Sequence, residues 1–195
     1  IGDNDELQVH GPGVMLGYWN NHAATAQVID HDGWLRTGDQ ARIDDSGHIY
    51  ITGRIKDILV LSNGEKIPPG EMESAIVLVP LFEQVMVVGE GRPYLTALLV
   101  LNDEHWKGFA QEQGVDPLVP ASLRDRKVLN AAGRRVKAAL RDFPGYAKIR
   151  QVSLSLEPWS VEDGLMTPTL KVKRPKVLER HAAVVEAMYR GGPAN

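Results

Sequence analysis

Gly53-Arg-Ile-Lys-Asp-Ile-Leu-Val-Leu-Ser-Asn-Gly-Glu-Lys-Ile67 is the stretch on which the reading of the fold turns. Asp57 to Ser62 and Glu65 to Ile67 are two strand-like runs flanking Asn63-Gly64. An Asn-Gly pair supplies the positive φ angles that a two-residue hairpin turn requires. Before this stretch the chain alternates short apolar runs with glycine turns, and after it helical periodicity takes over. The expected boundaries are therefore 1–55 for a first unit and 56–195 for a second.

The first unit reads as a small β-rich, barrel-like piece. Glu6-Leu-Gln-Val-His10 alternates as a strand does, and Ala23 to Ile29 is a short helical piece. Trp34 to Arg36, Gln40 to Ile43 and His48 to Thr52 are further strands, set apart by turns at Asp32-Gly33 and Ser46-Gly47. The chain opens at Ile1, with no initiator Met, as if within a sheet, and reads as a fragment.

The second unit reads as α+β. Pro68-Pro69 starts a helix with Met72, Ala75, Ile76 and Val79 at three-and-four spacing, and Pro80 ends it. Glu83 to Val88 and Tyr94 to Leu101 are central strands across a Gly89 to Pro93 turn. Asn102 caps a helix bearing Trp106, Phe109 and Ala110, with Gly114 beyond its end. Ser122 with Asp125 forms a capping box for a longer helix. That helix turns Leu129, Ala132, Val136, Ala139, Leu140 and Phe143 inward and Arg134, Arg135, Lys137 and Arg141 outward, and Pro144-Gly145 stops it. A strand from Ile149 to Leu156 follows, then a last helix after Pro175 with Leu178, Ala182, Val185 and Tyr189 inward. The fold class is α+β, with a hairpin and a central sheet packed by helices.

Composition narrows the function. With 22 basic against 25 acidic residues among 195, the net charge of −3 gives no field for nucleic acid. No apolar run approaches the roughly 20 residues that cross a bilayer. The absence of cysteine removes disulfides and thiolate chemistry, which fits a reducing compartment, and the cytoplasm is expected. The six histidines show neither metal-ligand spacing nor a triad partner, so no metal site is expected on this chain. Trp19, Trp34, Trp106 and Trp159 read as core or interface aromatics.

Three segments carry the chemistry: Trp34-Leu-Arg-Thr-Gly-Asp39, Gly53-Arg-Ile-Lys-Asp57 and Thr167-Pro-Thr-Leu-Lys-Val-Lys-Arg174. Taken singly each is ordinary. Thr37-Gly38-Asp39 is a turn, Arg54 a surface arginine, Lys56 a solvated lysine, Gly64 a hairpin glycine, and Lys171, Lys173, Arg174 and Lys176 a basic patch. Yet Asp39 offers an acceptor-only carboxylate suited to a sugar diol, and the Arg54 guanidinium can donate to ribose or phosphate oxygens.

Together the segments resemble the C-terminal portion of the adenylate-forming superfamily, which contains acyl-CoA synthetases, luciferases and peptide-synthetase adenylation domains. Within it they are most similar to the long-chain fatty acyl-CoA ligases, in the flavour of the last motif. The resemblance implies that Thr37, Asp39 and Arg54 bind the nucleotide, that Lys56 is a hinge with Asp57 opening a mobile lid, and that the Gly64 hairpin lines the tunnel for the pantetheine arm of CoA. It implies that Lys171 is catalytic, with Lys173 as the alternative. Attack of a carboxylate on the α-phosphate of ATP concentrates negative charge, which a lysine between the reactants stabilises. The family commonly has Gly before that lysine, where this chain has Leu170.

The implied reaction is ATP-dependent acyl-adenylate formation followed by thioester formation, with ATP, Mg2+, CoA and a fatty acid as small molecules. The phosphate-gripping loop, the adenine pocket and the acyl tunnel fall to a missing N-terminal domain, so the fragment alone is expected to be inactive. A peripheral membrane contact is the remaining expected partner, and nothing sets the oligomeric state. A luciferase would often end in Ser-Lys-Leu, and a peptide-synthetase domain would continue into a carrier beyond Gly191 to Asn195. Another adenylating enzyme and a non-catalytic module that keeps the lid fold stay open as alternatives.

Overall fold

In the computed structural model, residues 1–145 and 147–190 are described, so the tail at 191–195, where a carrier domain was sought, lies outside them. The described chain divides into two units, Ile1–Ile58 and Leu59–Asn195.

In the first unit β1 (Glu6–Val9), α1 (His22–Val28), β2 (Leu35–Ile43) and β3 (Ile49–Arg54) follow in order. The three strands form one antiparallel sheet, β1-β2-β3. It is open rather than barrel-shaped, because three strands are too few to close. The two strands expected at 34–36 and 40–43 are one continuous β2, which absorbs a register shift at Gln40/Ala41 opposite β3. Two turns repeat one construction. Asp30 and Asp44 each accept backbone N–H bonds on Oδ1, from Asp32 and Trp34 and from Ser46 and His48. Gly33 and Gly47 sit at φ +83 in the turns so formed. After β3 a single 3-10 turn, Ile55–Asp57, carries Lys56.

The second unit begins with the hairpin of β4 (Leu59–Val60) and β5 (Lys66–Ile67), then α2 (Pro69–Val77). The hairpin tip departs from the two-residue turn. Gly64 N–H bonds to Leu61 C=O at 2.8 Å and only Gly64, not Asn63, has positive φ, at +85. The tip is thus a longer turn closed by one left-handed glycine. Next come β6 (Phe82–Val88), β7 (Leu95–Leu101), α3 (Asp103–Glu112), α4 (Arg126–Ala139), β8 (Ile149–Ser155), α5 (Arg174–Arg180) and α6 (Ala182–Arg190). The sheet order is β6-β7-β8, with β6 antiparallel and β8 parallel to the central β7.

All seven residues of β7 are buried, because both faces of this strand are covered. Leu95, Ala97, Leu99 and Leu101 join Met72 and Ile76 of α2, Trp106 and Phe109 of α3 and Val128 and Val136 of α4 in one core. Leu98 and Val100 turn the other way, onto Trp159, Leu165 and Met166, Val177 of α5 and Val185 and Met188 of α6. Each fully buried aliphatic side chain contributes about 1.5–3 kcal/mol, so two cores on one sheet account for a unit of this size holding together.

Several local expectations need correction. Ser122 is buried and donates to Asp116 C=O at 2.6 Å, while Asp125 alone caps α4 through Lys127 N–H. Val128 and Ala131 are buried on α4, and Leu129 only partly. The last helix is two, α5 and α6, broken at His181. Val177, not Leu178, faces the core, and Ala182 is exposed. Trp106 and Trp159 are core residues as expected, whereas Trp19 is 97% exposed and Trp34 43%.

Candidate nucleotide and acyl-transfer sites

The first unit brings Thr37, Asp39 and Arg54 together at one end of its sheet. Asp39 and Arg54 are cross-strand partners, and Arg54 Nε donates to Asp39 Oδ1 at 3.0 Å. Thr37 Oγ1 donates to Leu7 C=O at 2.8 Å and accepts from Asp39 N–H at 3.1 Å, so the threonine sets the backbone that aims Asp39. Gly38 between them has φ +74, and its N–H is held by Glu6 Oε1 at 3.0 Å. A left-handed angle at this point needs glycine. With side chains 30% and 58% exposed, the Asp39–Arg54 pair is worth about 0.2–1 kcal/mol to stability. What it provides is a carboxylate and a guanidinium fixed side by side and open to a ligand.

In the second unit the β4–β5 hairpin is strapped to the β6–β7 turn. Val60 N–H donates to Glu90 Oε2 at 2.8 Å, Gly91 N–H to Val60 C=O at 2.8 Å, and Ser62 N–H to Arg92 C=O at 3.0 Å. The hairpin is therefore a fixed feature of its unit. Beside its tip lies an open cleft of about 530 Å3, lined among others by Asn63, Glu65, Tyr94, Lys148 and Arg150. A Cβ built at Gly64 would meet no atom within 4 Å, so the tip faces open space.

Lys171 stands on a second, smaller hairpin. Thr167 N–H donates to Lys171 C=O at 2.8 Å, Lys171 N–H donates to Thr167 Oγ1 at 3.0 Å, and Met166 bridges to Val172. The residue before the lysine, Leu170, has φ +59 and is 70% exposed. The left-handed region costs an L-residue with a Cβ roughly 1–2 kcal/mol, so the backbone of this hairpin explains why glycine suits the position. Lys171 is exposed and Lys173 half-buried, with Lys173 N–H bonded to Leu165 C=O at 2.8 Å. Their basic neighbours are engaged: Lys176 pairs with Glu179 at 2.9 Å and Arg174 with Glu73 at 2.6 Å. Among the described residues neither Lys171 nor Lys173 forms an ion pair.

Sequence reasoning missed two things. Glu73 belongs to none of the three segments that carry the chemistry, yet it meets Arg174 across 101 positions of chain. No spacing rule in one sequence joins residues so far apart. Lys148 and Arg150 were passed over because the cleft they line is assembled from three separate segments. Among the described residues no group of three His, Asp or Glu side chains could hold a metal ion, and no helix is long and apolar enough to cross a membrane.

The chain resembles known proteins over most of its length. Residues 56–192 match the model of the AMP-binding enzyme C-terminal domain. Among similar proteins, the long-chain-fatty-acid–CoA ligase FadD15 of Mycobacterium tuberculosis is 34% identical over 191 residues, covering 97% of this chain and 32% of that protein. The human long-chain-fatty-acid–CoA ligase ACSBG1 is 29% identical over 208 residues, covering 95% of this chain and 28% of the relative. Among solved structures, the A domain of carboxylic acid reductase from Segniliparus rugosus, in complex with AMP and a co-purified carboxylic acid, superposes with a TM-score of 0.80 at 28% identity, over 95% of this chain and 28% of that one. The chain thus spans about a third of the length of the curated relatives it matches. With its α+β fold and its C-terminal-domain match over most of its length, the chain belongs to the AMP-binding, adenylate-forming enzyme family.

Proposed function

We propose that this chain is the C-terminal part of an ATP-dependent fatty acyl-CoA ligase, acting in the cytoplasm with an N-terminal domain that carries the rest of the active site. The observation that carries the reading is the Asp39–Arg54 pair, aimed by Thr37 and held at 3.0 Å on adjacent strands, in a family chain whose relatives are fatty-acid–CoA ligases. Asp39 accepts from the ribose hydroxyls and Arg54 donates to ribose or phosphate oxygens. Lys171 supplies positive charge as the substrate carboxylate approaches the α-phosphate, lowering the barrier by electrostatic stabilisation of the transition state. The magnesium that accompanies ATP is assigned to no residue of this chain.

Lys56 serves as the hinge, with Asp57 as the first residue of the lid and 1–55 and 56–195 as the working bodies. A single 3-10 turn at Ile55–Asp57, with no buried residue and with Lys56 and Asp57 exposed, supports this, since few contacts resist a change of its dihedrals. Gly64 borders the path of the pantetheine arm in the second half-reaction, and the Lys148 and Arg150 side of the neighbouring cleft suits the phosphates of CoA.

The test is pyrophosphate release by the full-length parent with MgATP and acids from acetate to palmitate, with and without CoA, beside Lys171→Ala. Release that peaks with a long acid, needs CoA for turnover and falls at least about 100-fold in the variant is expected from loss of one transition-state charge contact. No release with any acid would overturn the ligase reading. Turnover with an acid but without any dependence on CoA would favour a different acyl acceptor, in keeping with the structural likeness to a carboxylic acid reductase domain.

A further inference from the structure

Val87 lies on β6, an edge strand of the β6-β7-β8 sheet. Its N–H donates to Glu73 Oε1 at 2.7 Å, and its C=O accepts from Arg174 Nη2. Arg174 Nη1 also donates to the same Glu73 oxygen at 2.6 Å. Glu73, the Val87 peptide and Arg174 thus close a ring of hydrogen bonds in which each polar group answers the next. The two side chains are only 20% and 19% exposed. Breaking a pair withdrawn to this degree strands a charge beside the apolar core, so the ring holds its members in one geometry.

The segments it ties together are informative. Arg174 comes three residues after Lys171, at the foot of the hairpin that Met166–Val172 and Lys173–Leu165 bonds close. Glu73 stands on α2, the helix that follows the Gly64 hairpin through Pro68. One ion pair therefore sets the foot of the Lys171 hairpin against the sheet edge and against the helix behind the other hairpin.

We infer that Glu73 and Arg174 are positioning residues for the lysine of adenylation, a deepening that rests on the assignment of Lys171 above. Neither touches the substrate; both act by fixing the foot of the Lys171 hairpin. A misplacement of about 1 Å in a positioned group costs up to roughly 100-fold in rate. The planar fork of Arg174 spans Glu73 and the Val87 carbonyl at once, which a lysine ammonium does not.

The experiment compares Arg174→Lys, Glu73→Gln, Lys171→Ala and the double variant Lys171→Ala/Arg174→Lys in the full-length parent. Acid-dependent ATP–pyrophosphate exchange reads adenylation, and thioester formation from supplied acyl-adenylate reads the second half-reaction. Glu73→Gln keeps an acceptor for the Val87 N–H, so it serves where Arg174→Lys folds poorly. Both single clamp variants are expected to slow exchange by about 10–100-fold. Thioester formation stays within about twofold, a difference too small to reflect a displaced catalytic group. The double variant is no slower in exchange than Lys171→Ala alone. Parallel loss in both half-reactions would reduce the ring to a purely structural feature and overturn the inference. So would a further loss on adding Arg174→Lys to Lys171→Ala. Wild-type exchange in Lys171→Ala would instead remove the assignment of Lys171 itself.

Discussion

Replacing Gly64 separates a structural glycine from a functional one. The residue sits at φ +85 with nothing within 4 Å of a built Cβ. Within its unit a side chain therefore meets no steric barrier, and only the backbone angle resists. That angle costs a Cβ-bearing residue about 1–2 kcal/mol. The loss of glycine's freedom in the unfolded chain returns about 0.4–1 kcal/mol. The net change for Gly64→Ala is then about 1 kcal/mol, against a stability of about 5–15 kcal/mol for a domain. Well over nine-tenths of the protein stays folded, and asparagine, which tolerates the left-handed region, costs less still.

A purely structural glycine thus predicts full activity in both half-reactions for Gly64→Asn. If the pantetheine arm passes the tip, the open space belongs to CoA and any side chain there obstructs it. Gly64→Asn and Gly64→Leu are then expected to slow single-turnover thioester formation by about 100-fold, equivalent to about 2.7 kcal/mol. ATP–pyrophosphate exchange is expected to remain within a factor of about two of wild type, the scatter of a small stability change. Melting temperature checks the stability estimate in the same samples. Equal rates of thioester formation in wild type and Gly64→Leu would refute the reasoning, and so would equal loss in both steps.

Two further predictions concern the first unit and its end. Lys56→Pro, which fixes one dihedral near −65°, is expected to spare exchange and block thioester formation; survival of both steps would show that the hinge lies elsewhere. The backbone N–H of His48, and behind it the Tyr50 side chain, the Ser46 N–H and the His48 ring, hold the Asp44 carboxyl below its ordinary value of 3.8, against an opposing desolvation. A group whose folded pKa is depressed contributes stability above the unfolded value and loses it as pH falls through the folded one. The Asp44 turn should therefore hold unchanged above pH 3.8 and open only below it. An NMR titration placing Asp44 at or above the ordinary carboxylate midpoint would contradict this.

Much of the fold was legible because local chemistry decided it. Asn102 caps α3 through Glu104 and His105 N–H, Pro69 opens α2, and Gly64 and Gly114 take the positive φ expected of them. Three failures share a cause. Val177 and Leu178 are adjacent and both apolar, so helical periodicity alone leaves either as the inward residue until a sheet face selects one. The break at His181, at φ −102 and ψ 15, lies among Glu179 to Ala183 without proline or glycine, so no local signal marks it, and Val177 before it and Val185 after it join one core. Ser122 satisfies a capping pattern, but burial gave its hydroxyl a nearer partner in Asp116. Asp39 and Lys171 are proposed from motifs in the sequence, whereas the Glu73–Arg174 ring is a product of tertiary assembly.

The parallel pairing of β7 with β8 carries a consequence for how the chain is made. The β6–β7 ribbon is local and can close across its short turn as soon as residue 101 is available. Its third strand arrives only after the crossover through α3 and α4, at residues 149–155. Closing so long a loop is entropically costly and comes late. At about 5–20 residues per second of synthesis, β7 waits on the order of several seconds for its partner. Throughout that interval the most apolar strand of the protein has one hydrogen-bonding edge open, together with the face that Trp159, α5 and α6 later cover, and it is there that a nascent chain is most exposed to pairing with the wrong neighbour.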